Sequence, residues 1–153
     1  MSFDTGRGTR GTRQPKGVFM RLTNSLMSRR VRRSGGGGST LVLTTIGRRS
    51  GVERVNPLRW FPGPDDSWIV VASAGGAVDN PGWYYNLGAH PDQARIDIGG
   101  STIAVTAEQL HGAPREEAWQ RIVAAAPGFG QYQKKTDREL PVIRLTRRAD
   151  VVE

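Results

Sequence analysis

Arginines crowd one short stretch of this sequence. Gly47-Arg48-Arg49-Ser50-Gly51 reads as a glycine-flanked turn, with Arg54 and Arg59 just beyond it. Guanidinium groups packed this closely can grip a phosphate or a carboxylate in bidentate fashion. The glycines expose backbone N–H groups that add donors, and Ser50 adds a hydroxyl. The plainer reading of the same residues is a hairpin turn with its arginines in water. Two further stretches have the composition of a ligand wall. Val71-Ala72-Ser73-Ala74-Gly75-Gly76 is a strand running into small residues, against which a planar molecule can lie; it also reads as an ordinary strand end. Asn80-Pro81-Gly82-Trp83-Tyr84-Tyr85-Asn86-Leu87 sets adjacent aromatics on a short helix. They cannot all face a core, so at least one points to a ligand or partner; core packing is the alternative.

Other chemistry is sparse. The chain has no GxSxG, no P-loop and no HExxH. It has no cysteine and only His90 and His111, so no metal site is expected. Gly6-Arg7-Gly8-Thr9-Arg10-Gly11 spells GxGxxG, but no strand can precede it, which rules out a dinucleotide turn. Glu116 and Glu117 suit a helix start. Lys134, Lys135 and Arg138 read as a solvated face, or as an extension of an anion-binding rim.

The elements that must hold these residues follow from pattern. The 153 residues suit one domain. Residues 1–33 carry nine basic side chains and one acid; the rest of the chain balances to zero, so the net charge of +8 sits in an N-terminal arm. A neutral domain with a basic arm argues against a nucleic-acid binder and for a segment that meets an anionic surface. Residues 1–15 read as a disordered basic tail. Residues 16–33 read as a basic amphipathic helix, with Phe19, Leu22 and Leu26 at i, i+3 and i+7. That helix either packs on the domain or lies on anionic lipid. Ser34 and the glycines 35–38 end it.

From residue 39 to 153 the pattern is mainly antiparallel β. Strands are expected at Thr40–Ile46, at 54–61 with Pro57 marking an edge or bulge, and at 68–73. A helix follows from 80 to 89, with Asn80 as cap and Pro81 in first position. Strands at Ala94–Ile98 and 101–108 flank the Gly99-Gly100 turn. A helix over 114–126, stopped by Pro127-Gly128, and a strand over 141–145 complete the order. Six strands with few helices argue for an α+β barrel rather than a doubly wound sheet.

In this order the pieces resemble the deazaflavin-dependent nitroreductase family of actinobacteria, a branch of the split-barrel flavin and deazaflavin oxidoreductases. The resemblance rests on Leu-Val-Leu-Thr-Thr-Ile-Gly-Arg-Arg-Ser-Gly (41–51), Arg-Val-Asn-Pro-Leu (54–58), Val-Val-Ala-Ser (70–73), Gly-Gly-Ala (75–77), Asn-Pro-Gly-Trp-Tyr-Tyr-Asn-Leu (80–87) and Thr-Asp-Arg-Glu-Leu-Pro-Val (136–142). It covers roughly residues 18–145 and implies a six-stranded split β-barrel of the FMN-binding type, with short helices and an N-terminal helix.

The resemblance also implies a cofactor, coenzyme F-420 (8-hydroxy-5-deazaflavin), with FMN as second choice. Arg48, Arg49 and Ser50 would hold its phosphate and glutamate tail. Arg54, Val55, Asn56, Pro57, Leu58 and Arg59 would run along it, with Asn56 and Pro57 near the ring. Ala72, Ser73 and Ala74 would lie by the ring, and Trp83, Tyr84, Tyr85 and Asn86 would form the opposite wall. Phe129 would pack against cofactor or substrate. The implied activity is an F-420-dependent reductase, carrying hydride to an electron-poor acceptor such as a quinone or an activated C=C.

Tyr132 is the candidate proton donor and Ser73 the candidate for orienting the acceptor. The family's nitroimidazole-reducing members have a tyrosine-rich stretch after the second helix; here Ala126 and Phe129 take two of those places, and Ala74 stands where lysine is common. Nitro compounds are therefore not the expected substrates. The alternative is a non-catalytic F-420 or lipid-binding split barrel. The expected location is the cytoplasm, with peripheral contact of residues 16–33 to the inner face of the membrane.

Overall fold

The computed structural model describes residues 3–12 and 39–148. The expected helix over 16–33 lies outside them. Seven strands form one antiparallel sheet: β1 (Thr40–Ile46), β2 (Glu53–Arg59), β3 (Phe61–Pro62), β4 (Trp68–Val71), β5 (Ala94–Ile98), β6 (Ser101–Gln109) and β7 (Val142–Arg147). Their order is β2-β1-β5-β6-β7-β4-β3. Only Trp60 separates β2 from β3, yet these strands hold opposite ends of that order. One residue spans about 3.8 Å, so the two edges must meet and the sheet curls into a barrel. The expected strand over 54–61 is thus a single bent strand that crosses the seam, which reconciles seven strands with six.

Residue chemistry accounts for the parts. β1 is a run of β-branched and aliphatic residues, and its interior positions are all buried, as suits a strand covered on both faces. β2 pairs with β1 alone, which places Pro57 on an edge, opposite Val42. Gly99 (φ 56°) and Gly100 (φ 81°) supply the left-handed pair of a tight β5–β6 hairpin. Strand alternation then sorts two cores. Val70, Ala72, Ile143 and Leu145 join Leu41, Leu43, Ile96 and Val105 in the main core. Ile69, Val71, Phe61 and Val142 face the other way, into a second cluster with Ile122 and Leu140.

Three helices are described: α1 (Gly82–Ala89), α2 (Gly112–Ala125) and α3 (Gly128–Lys135). α1 drives Trp83, Tyr84 and Leu87 into the main core. α2 and α3 supply Ile122, Phe129 and Tyr132 to the second. α3 departs from expectation. Pro127-Gly128 ends α2, but the chain restarts as a helix, because Pro127 already has helical φ/ψ (−57°, −22°) and opens the next turn.

Residues 3–12 also depart from the expected disordered tail. Phe3 packs on the Tyr84 ring at 5.5 Å between centroids. The Gly8 N–H donates to the Val78 carbonyl at 2.8 Å, and Thr12 bridges Ala77 in parallel. A Cβ at Gly11 would lie 2.5 Å from the Val78 nitrogen. The glycines that look like a low-complexity tail are what let this strap lie flush on the barrel.

Candidate active site

Gly47-Arg48-Arg49-Ser50-Gly51 connects β1 to β2. The Gly51 N–H donates to the Gly47 carbonyl at 2.9 Å, and the Ser50 hydroxyl accepts the Val52 N–H at 3.1 Å. A Cβ at Gly47 would sit 2.5 Å from that hydroxyl, so a larger residue there would displace the Ser50 side chain. Arg48 and Arg49 project from the turn and are exposed; Arg54 is half-buried on β2, opposite Thr45. The acid nearest in sequence, Glu53, is taken by Arg95, whose guanidinium donates to it at 2.5 and 3.0 Å. Among the described residues, Arg48, Arg49 and Arg54 form no ion pair. Within the described residues the turn therefore carries positive charge without an acidic partner.

α1 is fastened to this turn. The Asn86 carboxamide accepts the Arg48 N–H at 3.0 Å and donates to the Thr45 hydroxyl at 3.1 Å. The Arg48 guanidinium lies over the Tyr85 ring, 4.5 Å from its centroid. Tyr85 is the least buried of the three aromatics and packs at the edge of the main core. Its hydroxyl donates to Asp79 at 2.5 Å and accepts from Asn80 at 3.2 Å. Burial, then Asp79, hold its pKa above the usual phenol value.

Tyr84 points inward and is 1% exposed. Its hydroxyl donates to Gln109 at 2.5 Å and accepts the Thr5 N–H at 2.9 Å, while Gln109 donates back to the Thr5 hydroxyl at 2.8 Å. Burial raises its pKa too. Trp83 and Ala72 are likewise buried, so they shape the wall from within.

The small-residue segment leaves β4 as a tight turn. Ala74 (φ 46°), Gly75 (φ 63°) and Gly76 (φ 82°) all have left-handed backbone. Ala74 carries a Cβ in a conformation that ordinarily costs about 1–2 kcal/mol. Arg138 holds this turn. The sequence suggests a solvated face or an anion-binding rim for Arg138; it is instead 3% exposed. It donates to the carbonyls of Ala72 (2.9 Å), Ser73 (2.9 Å) and Ala77 (3.2 and 3.1 Å) and to Asn80 Oδ1 (2.7 Å). Desolvation lowers its pKa, and nearby Tyr85, Asp79 and Tyr84 oppose that. Asn80 is correspondingly not the cap of α1; Pro81 takes that position without a side-chain bond. The Ser73 hydroxyl makes no hydrogen bond among the described residues.

The three ligand-wall motifs are thus joined: Arg48 to Asn86 and Tyr85, Tyr85 to Asn80, Asn80 to Arg138, and Arg138 to Ser73. Val55, Asn56, Pro57 and Leu58 lie along the β2 edge, half-buried, and Arg59 is exposed beyond them. Phe129 and Tyr132 stand apart from this set. They meet edge to face at 5.6 Å, and Phe61 meets Phe129 edge to face at 5.7 Å, on the second-core side of β4. α3 nonetheless abuts the 74–76 turn, since a Cβ at Gly76 would come 2.5 Å from the Tyr132 carbonyl oxygen. Lys134 and Lys135 are exposed, as expected.

Residues 18–147 match the model of the F-420H(2)-dependent quinone reductase family. The chain belongs to that family. An F-420H(2)-dependent quinone reductase of Mycobacterium tuberculosis (strain H37Rv) is 35% identical over 134 residues, 86% of this chain and 87% of that protein. A solved F-420-H2 dependent reductase, FDR-A, superposes with TM-score 0.63 at 35% identity, covering 71% of this chain and 94% of that one. A chain solved as a domain-swapped dimer superposes with TM-score 0.64 at 30% identity, covering 82% and 99%. The split-barrel assignment, the F-420 cofactor and the oxidoreductase class expected from sequence agree with these relatives.

Proposed function

We propose that this chain is an F-420H2-dependent quinone reductase whose tail-binding clamp is the arginine turn and whose ring-binding wall is built by residues 73–74 and 85–86. The observation that carries the proposal is the fastening of Arg48 to Asn86 and Tyr85, which joins a cationic turn to an aromatic helix. Bound reduced F-420 would supply hydride from its C5 to the quinone.

The protein's own tasks are then positional. Arg48, Arg49 and Arg54 neutralise the phosphate and glutamate charges, with Ser50 and the turn amides as further donors. Asn56 and Pro57 line the β2 edge. Ser73, whose hydroxyl makes no hydrogen bond among the described residues, would orient the acceptor, and Tyr132, on α3 beside the 74–76 turn, is the candidate to return a proton to the reduced acceptor. Phe129 walls that side.

Titration with F-420 and FMN side by side, followed by fluorescence, tests the cofactor. Preferential binding of F-420 is expected; binding of FMN alone would overturn the assignment. Turnover is tested by mixing reduced F-420 with menadione and following the return of oxidised deazaflavin. Tight binding with no oxidation across a panel of quinones and enones would favour a cofactor carrier instead.

Peripheral contact between residues 16–33 and anionic membrane belongs to the same proposal. No helix of the described residues is long and apolar enough to cross a membrane. Arg29, Arg30, Arg32 and Arg33 are placed in sequence to meet acidic headgroups. Their replacement by Gln should release the protein from phosphatidylserine vesicles; unchanged co-sedimentation counts against the contact. Deleting residues 1–33 is the poorer test, because it also removes the strap residues 3–12.

A further inference from the structure

We propose that Arg138 is a positioning residue for the ring-binding turn, acting through the carbonyls of residues 72–77 and through Asn80; this rests on the assignment of that turn to the cofactor ring. A guanidinium has five N–H donors. All five directions are used here, by bonds to Ala72, Ser73, Asn80 and twice to Ala77, and every acceptor falls within residues 72–80. A buried cation with neutral partners is an expensive way to stabilise a fold. What it secures is the conformation of one short segment.

Within that segment the Gly76 N–H donates to the Ser73 carbonyl at 2.9 Å and the Ala77 N–H to the Ala74 carbonyl at 3.1 Å, and Thr12 of the strap donates to the Gly75 and Gly76 carbonyls. Ala74, Gly75 and Gly76 are left-handed in succession, and Arg138 collects the carbonyls on either side of them, those of Ala72, Ser73 and Ala77. The same guanidinium fixes the orientation of the Asn80 carboxamide. With Oδ1 facing Arg138, Nδ2 donates to the Tyr85 hydroxyl at 3.2 Å and the Thr5 carbonyl at 2.9 Å. Tyr85 carries the Arg48 guanidinium on its face. Arg138 therefore couples the ring end of the site to the tail end, although it touches neither ligand half itself. Lysine cannot replace it, since a point-charge ammonium lacks the planar fork that spans these acceptors.

Arg115 supplies an internal control. It is also buried, at 8% exposure, and donates to the Leu140 carbonyl at 2.9 Å while lying over Trp119. Its partners are Glu116 and Trp119 on α2 and Glu139 and Leu140 just past Arg138, and none of them lies in the ring-binding turn.

The test compares Arg138→Gln, Arg138→Lys, Arg115→Gln and Arg49→Gln for thermal midpoint, Kd for F-420 by fluorescence, and KM against kcat with menadione. Both Arg138 variants should raise the Kd and KM for F-420 by about tenfold or more, as expected for loss of charge-assisted bonds. Arg115→Gln should lower the midpoint while leaving Kd within about twofold. In Arg138→Ala, free guanidinium at millimolar concentration should restore part of the affinity. A folded Arg138→Lys or Arg138→Gln with wild-type Kd overturns the proposal, as does an equal rise in Kd for Arg115→Gln. Should the Arg138 variants not fold, Asn80→Ala decides the matter. It removes one of the Arg138 acceptors together with the Nδ2 bonds to Tyr85 and Thr5 that carry the coupling, and an unchanged Kd would overturn the proposal. Wild-type protein that does not bind F-420, or Arg49→Gln that binds it normally, would instead defeat the site assignment on which the proposal rests.

Discussion

The carboxamide of Asn86 accepts the backbone N–H of Arg48 and donates to the hydroxyl of Thr45, so one buried side chain on α1 fixes where the arginine turn stands relative to the aromatic wall. Asn86 is 8% exposed, so neither bond is readily replaced by water. Asn86→Ala should cost about 1–3 kcal/mol of stability and weaken F-420 binding. Asn86→Asp should weaken it further, since it keeps the acceptor for Arg48, loses the donor to Thr45 and sets an anion beside a polyanion site. Urea unfolding and fluorescence titration of both variants check this; an Asp variant that binds as well as wild type would separate Asn86 from the clamp.

Charge in the turn should show as salt dependence. Arg48 and Arg49 are exposed, and the nearby Glu53 is paired with Arg95. F-420 affinity should fall as salt rises, because exposed charges are screened within about 10 Å at 0.1 M. Arg48→Gln should lose both affinity and part of that salt slope. It should also lose about 0.5–1 kcal/mol of contact with the Tyr85 ring. Arg49→Gln should lose the electrostatic part alone. Isothermal titration at several salt concentrations distinguishes the two, and parallel slopes for all three proteins would remove these arginines from the tail site.

The arginine turn and the aromatic helix stand out in the sequence because their signals are local. Arg48 and Arg49 lie between glycines, and three consecutive aromatics leave one of them, Tyr85, at the edge of the core. Arg138 was not legible in the same way. A cation two residues before buried Leu140 looks like surface, and only tertiary structure brings four acceptors from residues 72–80 around it. Asn80 before Pro81 matches a helix cap by type, but Arg138 outbids the helix for its oxygen. The strap failed for a related reason. Gly-rich composition signals disorder, yet at Gly8 and Gly11 it records close backbone contact with residues 76–78 and 137–138.

The left-handed turn makes a paired prediction. A Cβ at Gly76 would meet the Tyr132 carbonyl oxygen at 2.5 Å and Lys135 Cβ at 3.0 Å, at φ 82°. Gly76→Ala should therefore destabilise by about 1–3 kcal/mol and push α3 away from the turn. Ala74→Gly runs the other way. It relieves a positive φ but frees the unfolded chain, so its net effect should stay within about 1 kcal/mol. Thermal unfolding of the two variants checks the pair, and a tolerated Gly76→Ala would mean that α3 is not seated as described.

The strap residues 3–12 should respond to acid through Asp137. Its carboxylate accepts the Thr9 N–H at 2.8 Å, the Arg10 N–H at 3.2 Å and the Thr9 hydroxyl. These bonds, the Thr9 hydroxyl first, lower its pKa from 3.8 to about 2. A carboxyl with a lowered folded pKa favours the bound strap fully above its unfolded pKa, and loses that contribution as pH falls through the folded one. The strap should thus be insensitive to pH above about 5 and loosen between about pH 4 and 2. The group is fully exposed, so high salt should blunt the effect.

Hydrogen exchange at the Gly8 amide, which donates to Val78, reads the strap directly, with the core amide of Ile96 reporting global unfolding. Gly8 should lose protection before Ile96 on acidification. In Asp137→Ala it should be poorly protected at every pH. Because Thr5 in the same strap accepts from Asn80, the Asp137→Ala variant should also bind F-420 less tightly. Gly8 and Ile96 deprotecting together, in wild type and variant alike, would mean that Asp137 does not hold the strap.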